Sequence, residues 1–214
     1  IAHDSDSYRR ISQFNGNISC LQLPKLRLRD KLYWGLSAFF TPEFYKELRY
    51  IKRGKTLSMI YALISFIARG KRMADFYKKK YGYNTKEPTV FYSYWLHHNA
   101  YAAVNLARRN KYAKAVSRCH RYDLYAEHSY LQYLPLRHFL RKNLQAIYSI
   151  SSDGIEYLKK LTPDLHNENL KLARLGTPDY GCNYHKLKQD TLRIVSCSWI
   201  HSVKRVPRIA EALH

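Results

Sequence analysis

The chain has 214 residues, of which 46% are hydrophobic and 14% aromatic, with eight glycines and seven prolines. This composition supplies enough apolar side chains for a packed core and excludes wholesale disorder. Thirty-seven Lys and Arg against sixteen Asp and Glu give a formal net charge of +21. Such an excess favours polyanionic partners, namely nucleic acid, anionic lipid or phosphate-bearing substrates, without choosing among them.

The cysteines are scattered and form no CxxC pair. There are four of them: Cys20, Cys119, Cys182 and Cys197. This usage is typical of buried, reduced thiols in a cytoplasmic protein and argues against a disulfide framework. The most apolar run, residues 57–68, is too short to span a bilayer, so the sequence predicts no transmembrane segment.

The first part of the chain is predicted to be rich in helix over residues 25–85. Residues 41–43 (Thr-Pro-Glu) carry the N-cap, the first-turn proline and the early acid of a helix start. Apolar side chains at helical spacing over 57–68 predict a second helix that ends near Gly70. The basic segment 71–81 predicts a further short helix.

From residue 88 onward, short apolar runs alternate with helical segments. Strands are predicted at 89–95, 115–119, 146–150 and 170–175. Helices are predicted at 97–109, from Pro135, and at 154–161, the last with a capping-box-like start at Asp153 and Glu156. The alternation predicts an α/β fold built from parallel βαβ units, with a doubly wound sheet as the most economical arrangement.

Residues 177–190 are polar and contain Gly and Pro, which is typical of a linker. After them, 192–197 predicts a strand and the apolar positions from Val206 to the chain end predict a helix. A lone strand and part of a helix cannot bury their apolar faces by themselves. We therefore expect an N-terminally incomplete domain at 1–176, a linker, and the start of a truncated second domain at 191–214.

Polar residues follow three of the predicted strands, at 93–99, 118–123 and 198–205. In open α/β sheets, ligands bind beyond the carboxyl ends of the strands. In the second segment, His120 and Asp123 lie three residues apart beside arginines, which bind phosphate through a bidentate fork. This pattern indicates a site for a polar substrate that carries phosphate, although a turn with solvated charges explains it equally well.

His97 and His98 are adjacent, so on a helix their side chains point about 100° apart and cannot share one ion. No metal site is therefore predicted there. The basic run 78–80 lies among tyrosines that would suit nucleic acid or anionic lipid. Such a run is more often a solvated helix face.

Several longer segments carry a family resemblance. They are FYSYWLHHNAYAA (91–103), RCHRYDLY (118–125), IYSISSDGIEYLKKL (147–161), RLGTPDYG (174–181) and LRIVSCSWIHSVKRVPRIAEAL (192–213). In this order they resemble retaining GT-B glycosyltransferases of family 4. The second resembles the RAHGYDLY stretch of the acceptor domain, and the last two resemble the junction with the donor domain.

This resemblance implies two Rossmann-like domains of the GT-B type and transfer of a sugar, with retention, from a nucleotide-sugar to a glycan or lipid-linked acceptor. It implies no cofactor and no catalytic metal. His120 matches the family histidine that lines the cleft near the transferred sugar, and it is the catalytic candidate. At the strand ends beside it, Arg118, Asp123, Tyr94 and His97 are the candidates for binding substrate.

In the donor segment, Lys204 matches the lysine that contacts the donor diphosphate, and Arg205 and Ser198 are further candidates for that contact. Trp199 stands where the family usually has arginine. The two glutamates, seven residues apart, that mark the family's donor domain are absent from this sequence. We therefore expect the fragment alone to be inactive.

The resemblance also implies a cytoplasmic enzyme peripheral to the inner membrane face. The basic, apolar helices predicted within residues 54–81 would favour docking on anionic lipid.

Two alternatives stay open. A basic α/β protein that binds nucleic acid or a membrane surface explains the charge directly, but it leaves the ordered family segments unexplained, so nucleic acid is a disfavoured partner. A degenerate or split transferase that binds glycan without catalysis accounts for Trp199 and for the missing glutamates.

Overall fold

The computed structural model describes residues 23–25, 27–51, 54–82, 86–176, 181, 194–195 and 205–212. The chain divides into two compact units, Ile1–Leu175 and Gly176–His214. The first unit contains the sheet and most of the helices described below.

Three α-helices precede the sheet within the described residues. They are α1 (Leu28–Ala38), α2 (Pro42–Glu47) and α3 (Thr56–Tyr81). Helix α2 begins as predicted, with Thr41 at the N-cap and Pro42 in the first turn, where a missing N–H costs nothing. A 3-10 helix, Leu48–Tyr50, continues it.

Helix α3 is one helix of 26 residues, so the prediction of two helices meeting near Gly70 is wrong. Gly70 is buried, and a Cβ atom there would lie 2.5 Å from Cδ1 of Tyr101 and 2.8 Å from the carbonyl oxygen of His98. The glycine therefore permits close helix packing, and it does not end the helix. The helix ends at Gly82, whose φ of +74° is one that glycine adopts readily.

Four strands form one sheet in the described part of the chain. They are β1 (Thr89–Ser93), β2 (Ala113–Cys119), β3 (Ala146–Ser149) and β4 (Leu170–Leu172). They pair in the order β1-β2-β3-β4, all parallel, with Ser117 opposite both Ser93 and Ile147. This confirms an α/β fold with a parallel sheet, which is compatible with a Rossmann-like arrangement.

The connections between strands contain helices. They are α4 (His98–Ala107), α5 (Arg121–Leu124), a 3-10 helix (Ala126–His128), α6 (Arg137–Asn143) and α7 (Ser152–Leu161). Helix α4 contacts β1 and β2, and helix α7 contacts β3 and β4. In β2, Ala115 and Cys119 are accordingly buried while Lys114 is exposed. A doubly wound sheet stays a prediction.

Two predicted helix starts need correction. Helix α6 begins at Arg137 instead of Pro135, because Leu136 adopts a left-handed φ of +59° that no α-helix contains. Helix α7 is capped by Ser151, whose Oγ accepts the N–H of Gly154 at 3.1 Å. The predicted capping box of Asp153 and Glu156 is therefore wrong.

Three strands end earlier than predicted: β1 ends at Ser93 instead of residue 95, β3 at Ser149 instead of residue 150, and β4 at Leu172 instead of residue 175. The residues just beyond β1 leave the sheet because their backbone turns into α4, where the N–H of His97 donates to the carbonyl of Trp95 at 2.8 Å.

The core of the first unit lies between the sheet and helices α4, α6 and α7, and α3 packs against α4. Cys119 is fully buried and free, as predicted. The other three cysteines lie outside the described residues. Within the described part of the chain, no helix is both long enough and apolar enough to cross a membrane.

In the second unit, helix α8 (Val206–Glu211) agrees with the helix predicted there. The predicted linker lies outside the described residues apart from Gly181, and the predicted strand 192–197 apart from residues 194–195. The division of the chain into domain, linker and second domain stays a prediction.

Candidate functional site

Asp123 joins the chain segments that leave β1 and β2. Its Oδ1 accepts the N–H of His120 at 2.6 Å, and its Oδ2 accepts the N–H of Leu96 at 2.5 Å. The residue is 4% exposed, and burial raises the pKa of its carboxyl group although these two donors lower it. Asp123 therefore holds two strand ends at a fixed spacing, and its contact with a substrate stays a prediction.

The ring of His120 contacts two neighbouring aromatic side chains. Its centroid lies 4.7 Å from that of Tyr94 and 4.3 Å from that of Trp95, so the first residues after β1 cover the first residue after β2. His120 is 7% exposed and its side chain takes the capping-box position towards the backbone N–H of Asp123, but neither ring nitrogen completes a hydrogen bond with a described residue. Such an orphaned buried imidazole is uncommon in a fold that needs it only for packing.

The environment of His120 keeps its imidazole neutral at pH 7. Burial lowers the pKa, and the charge of Arg118 lowers it further, while the carboxylate of Asp123 acts in the opposite direction. A neutral imidazole can donate one hydrogen bond and accept another. This is the hydrogen-bonding capacity that a hydroxyl group of a ligand would use.

The side chain of Arg118 connects β2 to the chain segment that follows β4. Its Nη2 donates to the carbonyl of Ala173, just after β4, at 3.1 Å. Together with Tyr94, His120 and Asp123 it lies at the carboxyl edge of the sheet, so the structure brings four of the five predicted substrate-side residues to this edge in one neighbourhood.

Arg137 is a buried cation. Nothing in the sequence distinguishes it from the other Lys and Arg residues, of which the chain has 37 in all. It is 7% exposed, its Nη1 donates to the carbonyl of Leu96, and its Nε and Nη2 have no partner among the described residues. Burial lowers its pKa to about 10, so it is still charged at pH 7, and its charge lowers the pKa of Asp123. Its place in the site follows from its burial, which depends on tertiary packing.

His97, the fifth predicted residue, lines a groove of about 660 Å³ that does not include His120. Its ring packs on Phe66 at 5.1 Å, and its Nδ1 contacts Nδ1 of His98. Burial, together with the charges of Arg137 and Arg69, lowers its pKa to about 4. His97 is therefore neutral at pH 7, and its role in binding substrate stays a prediction.

The predicted diphosphate ligands belong to the second unit. Ser198 and Lys204 lie outside the described residues, and Arg205 directly precedes α8. Their roles stay predictions. Among the described side chains, no cluster of three or more His, Cys, Asp or Glu could hold a metal ion.

No protein-family model matches this chain, and neither a curated protein nor a solved structure is significantly similar to it.

Proposed function

We propose that this chain contains the acceptor-side domain of a retaining glycosyltransferase of the GT-B type, which transfers a sugar from a nucleotide-sugar to a glycan or lipid-linked acceptor. One observation carries the proposal: a neutral imidazole, His120, whose ring nitrogens have no hydrogen-bond partner within the described part of the chain, contacts Tyr94 and Trp95 just beyond adjacent parallel strands. Ligands of open parallel sheets bind at this edge. The ordered family segments at 88–214 supply the reaction type.

In this proposal His120 exchanges hydrogen bonds with a hydroxyl of the sugar, because a neutral imidazole offers both a donor and an acceptor. Tyr94 and Trp95 are each less than half exposed and present aromatic surface to the CH groups of the sugar ring. Asp123 acts through His120, since it fixes the backbone from which the imidazole projects.

The leaving diphosphate needs positive charge as it departs. Lys204 and Arg205 would supply that charge, and Ser198 would add a hydroxyl donor. Because Trp199 replaces the usual arginine, one charge-assisted phosphate contact is lost, and we expect weaker binding of the donor than in relatives that carry arginine.

The test is the release of nucleoside diphosphate by the intact gene product, with UDP- and GDP-sugars as donors and a membrane glycolipid extract as acceptor. His120→Ala should lower kcat/KM at least about tenfold, since it removes a buried hydrogen bond to the sugar. His166→Ala is the matched control, because that residue is exposed and its backbone carbonyl, which accepts from Arg141, is kept in the variant. Unchanged turnover in His120→Ala would refute the role.

The anomeric configuration of the product, measured by NMR, tests the stereochemical part. Retention is expected, and an inverted product would exclude this transferase type. Tight glycan binding without turnover with any donor would instead favour the non-catalytic alternative.

A second candidate function, binding to an anionic membrane surface, is favoured by the outer face of α1. Leu28, Leu32 and Leu36 recur every fourth residue and are 61–73% exposed, and Phe40 just beyond the helix is 85% exposed. Exposed cations flank this face at 25–31: Lys25, Arg27, Arg29 and Lys31. Apolar side chains with flanking cations are the pattern of an interfacial helix.

This membrane proposal places the lipid contact on α1 more than on the predicted segment 54–81. Leu32→Asp should reduce co-sedimentation with vesicles of phosphatidylglycerol and phosphatidylcholine, whereas Leu172→Asp, a substitution of an exposed leucine in β4, should not. Equal binding of the two variants would contradict this proposal. Equal binding of the unmodified protein to vesicles with and without phosphatidylglycerol would contradict it as well.

A further inference from the structure

A cavity of about 460 Å³ that does not include His120 lies between the end of α2, α6, α7 and residues 124–134. This volume falls within the usual range of small-molecule sites, about 300–1,000 Å³. Tyr50, Tyr133 and Tyr157 contribute aromatic lining, and Glu47, Glu127 and Gln132 are among its polar residues.

The cavity lining includes a buried carboxyl group, that of Glu47. Glu47 is 5% exposed, and its Oε1 accepts hydrogen bonds from the hydroxyl of Tyr133 at 3.1 Å and from the N–H of Leu136 at 2.8 Å. Burial raises its pKa more than these donors and the charge of Arg137 lower it. Burying a carboxyl group is costly, so its presence in this wall calls for a reason beyond packing.

The part of the lining around Tyr157 is also held in place by hydrogen bonds. The hydroxyl of Tyr157 accepts the N–H of Ala126 at 3.0 Å and donates to Oε2 of Glu127 at 3.1 Å. The orientation of Tyr157 is therefore fixed before any ligand arrives. A preformed wall lowers the entropy cost of binding.

Charged groups of both signs line the cavity. A bound anion would meet the carboxyl groups of Glu47 and Glu127, and a bound cation would meet the guanidinium of Arg137. A charged ligand of either sign would therefore meet a like charge in the lining. Mixed donors and acceptors beside aromatic rings suit a neutral ligand with many hydroxyl groups.

We propose that this cavity binds a hexopyranose unit of a saccharide. Tyr50 and Tyr157 contact the apolar CH faces of the ring, and Glu127 and Gln132 bond its hydroxyl groups. The choice of a saccharide over other neutral polyols rests on the proposed glycosyltransferase function. The cavity does not include His120 but shares Arg137 with the neighbourhood of Asp123, so a saccharide bound there would hold a chain of sugars next to the His120 cluster.

The proposal is tested by saturation-transfer difference NMR on this chain, with the methyl α-glycosides of glucose, galactose, mannose and N-acetylglucosamine as probes. Choline and inorganic phosphate serve as the cationic and anionic probes. At least one glycoside should bind in the millimolar range, and neither choline nor phosphate should compete with it. Absence of transfer from all four glycosides, or displacement by choline or phosphate, would overturn the proposal.

Matched variants locate the binding. Tyr50→Ala should weaken binding about tenfold, and Tyr112→Ala, at the same exposure but outside the cavity, should not. Leu161→Trp should block the cavity, with Leu172→Trp as its control. All four positions are exposed, so the fold is preserved. Glycoside binding that is unchanged in both Tyr50→Ala and Leu161→Trp would place the ligand elsewhere and overturn the proposal.

Binding and turnover, measured separately, distinguish this proposal from the proposed reaction, because His120 is not among the residues that line the cavity. Turnover without binding in the cavity would overturn the cavity proposal alone. Binding without turnover would overturn only the proposed reaction.

Discussion

Gly70 in α3 lies directly against the ring of Tyr101 in α4. A methyl group at Gly70 would lie 2.5 Å from Cδ1 of Tyr101, which is closer than carbon atoms approach, and 2.8 Å from the backbone oxygen of His98. This contact between the two helices lies in the core, since Tyr101 is 1% exposed. The spacing of α3 and α4 therefore depends on the absence of a side chain at one position.

Gly70→Ala should destabilise the protein by about 1–3 kcal/mol through overpacking, although alanine by itself favours a helix by about 1 kcal/mol. Gly35→Ala is the matched control, because a Cβ there would lie 4.0 Å from Ile64, an ordinary contact. The control should be neutral or stabilising. Urea unfolding measures the free energy of unfolding of both variants. A Gly70→Ala protein as stable as the wild type would show that α3 and α4 can move apart at no cost in free energy.

Stability should fall with acidification because of the histidine pair at the start of α4. Burial lowers the pKa of His97 to about 4 and that of His98 to about 3, against about 6.5 in the unfolded chain. Below pH 6.5 the unfolded state therefore binds protons that the folded state does not, and stability is lost progressively towards pH 4.

The measurement is the urea midpoint at pH 7 and at pH 5, for the wild type and for His98→Asn. The midpoint should fall less in the variant, since one of the two titrating groups is gone. His166→Asn, a change at an exposed histidine, should preserve the full acid sensitivity. An equal fall in all three proteins would assign the acid sensitivity to other groups.

Asp123→Asn should destabilise the protein by about 1–3 kcal/mol. The amide has one oxygen, so its NH₂ group must face one of the two buried N–H donors of Leu96 and His120. Asp153→Asn, at an exposed position in the first turn of α7, should cost less than about 1 kcal/mol. Thermal unfolding compares the two variants, and equal stability would show that Asp123 does not brace the strand ends.

Cys119 should resist alkylation in the folded protein. It is fully buried, and burial raises the pKa of its thiol to about 12, so almost no thiolate forms at pH 8. Iodoacetamide at pH 8 followed by peptide mass spectrometry should leave the Cys119 peptide unmodified until urea is added. Rapid labelling without urea would reveal frequent local opening of β2.

The sequence by itself determined the order of the four strands, the main helices between them and the α/β class, but not the exact ends of these elements or the short helices at 121–128. The signals are local: β-branched and aromatic runs for β1 to β3, helical spacing between them, and the Thr-Pro start of α2. It also located His120 and Asp123 at a strand end, because parallel strands place their carboxyl ends together. The reaction and the donor site stay predictions.

Only the tertiary structure decided the partners of these residues. Gly70 has the sequence appearance of a helix end, and its close contact with Tyr101 depends on a helix some thirty positions away. The burial of Arg137 and Glu47, and the contact of His120 with Tyr94 and Trp95, arise between elements distant along the chain. Local spacing encodes which elements form, whereas burial and long-range contacts depend on how those elements pack together.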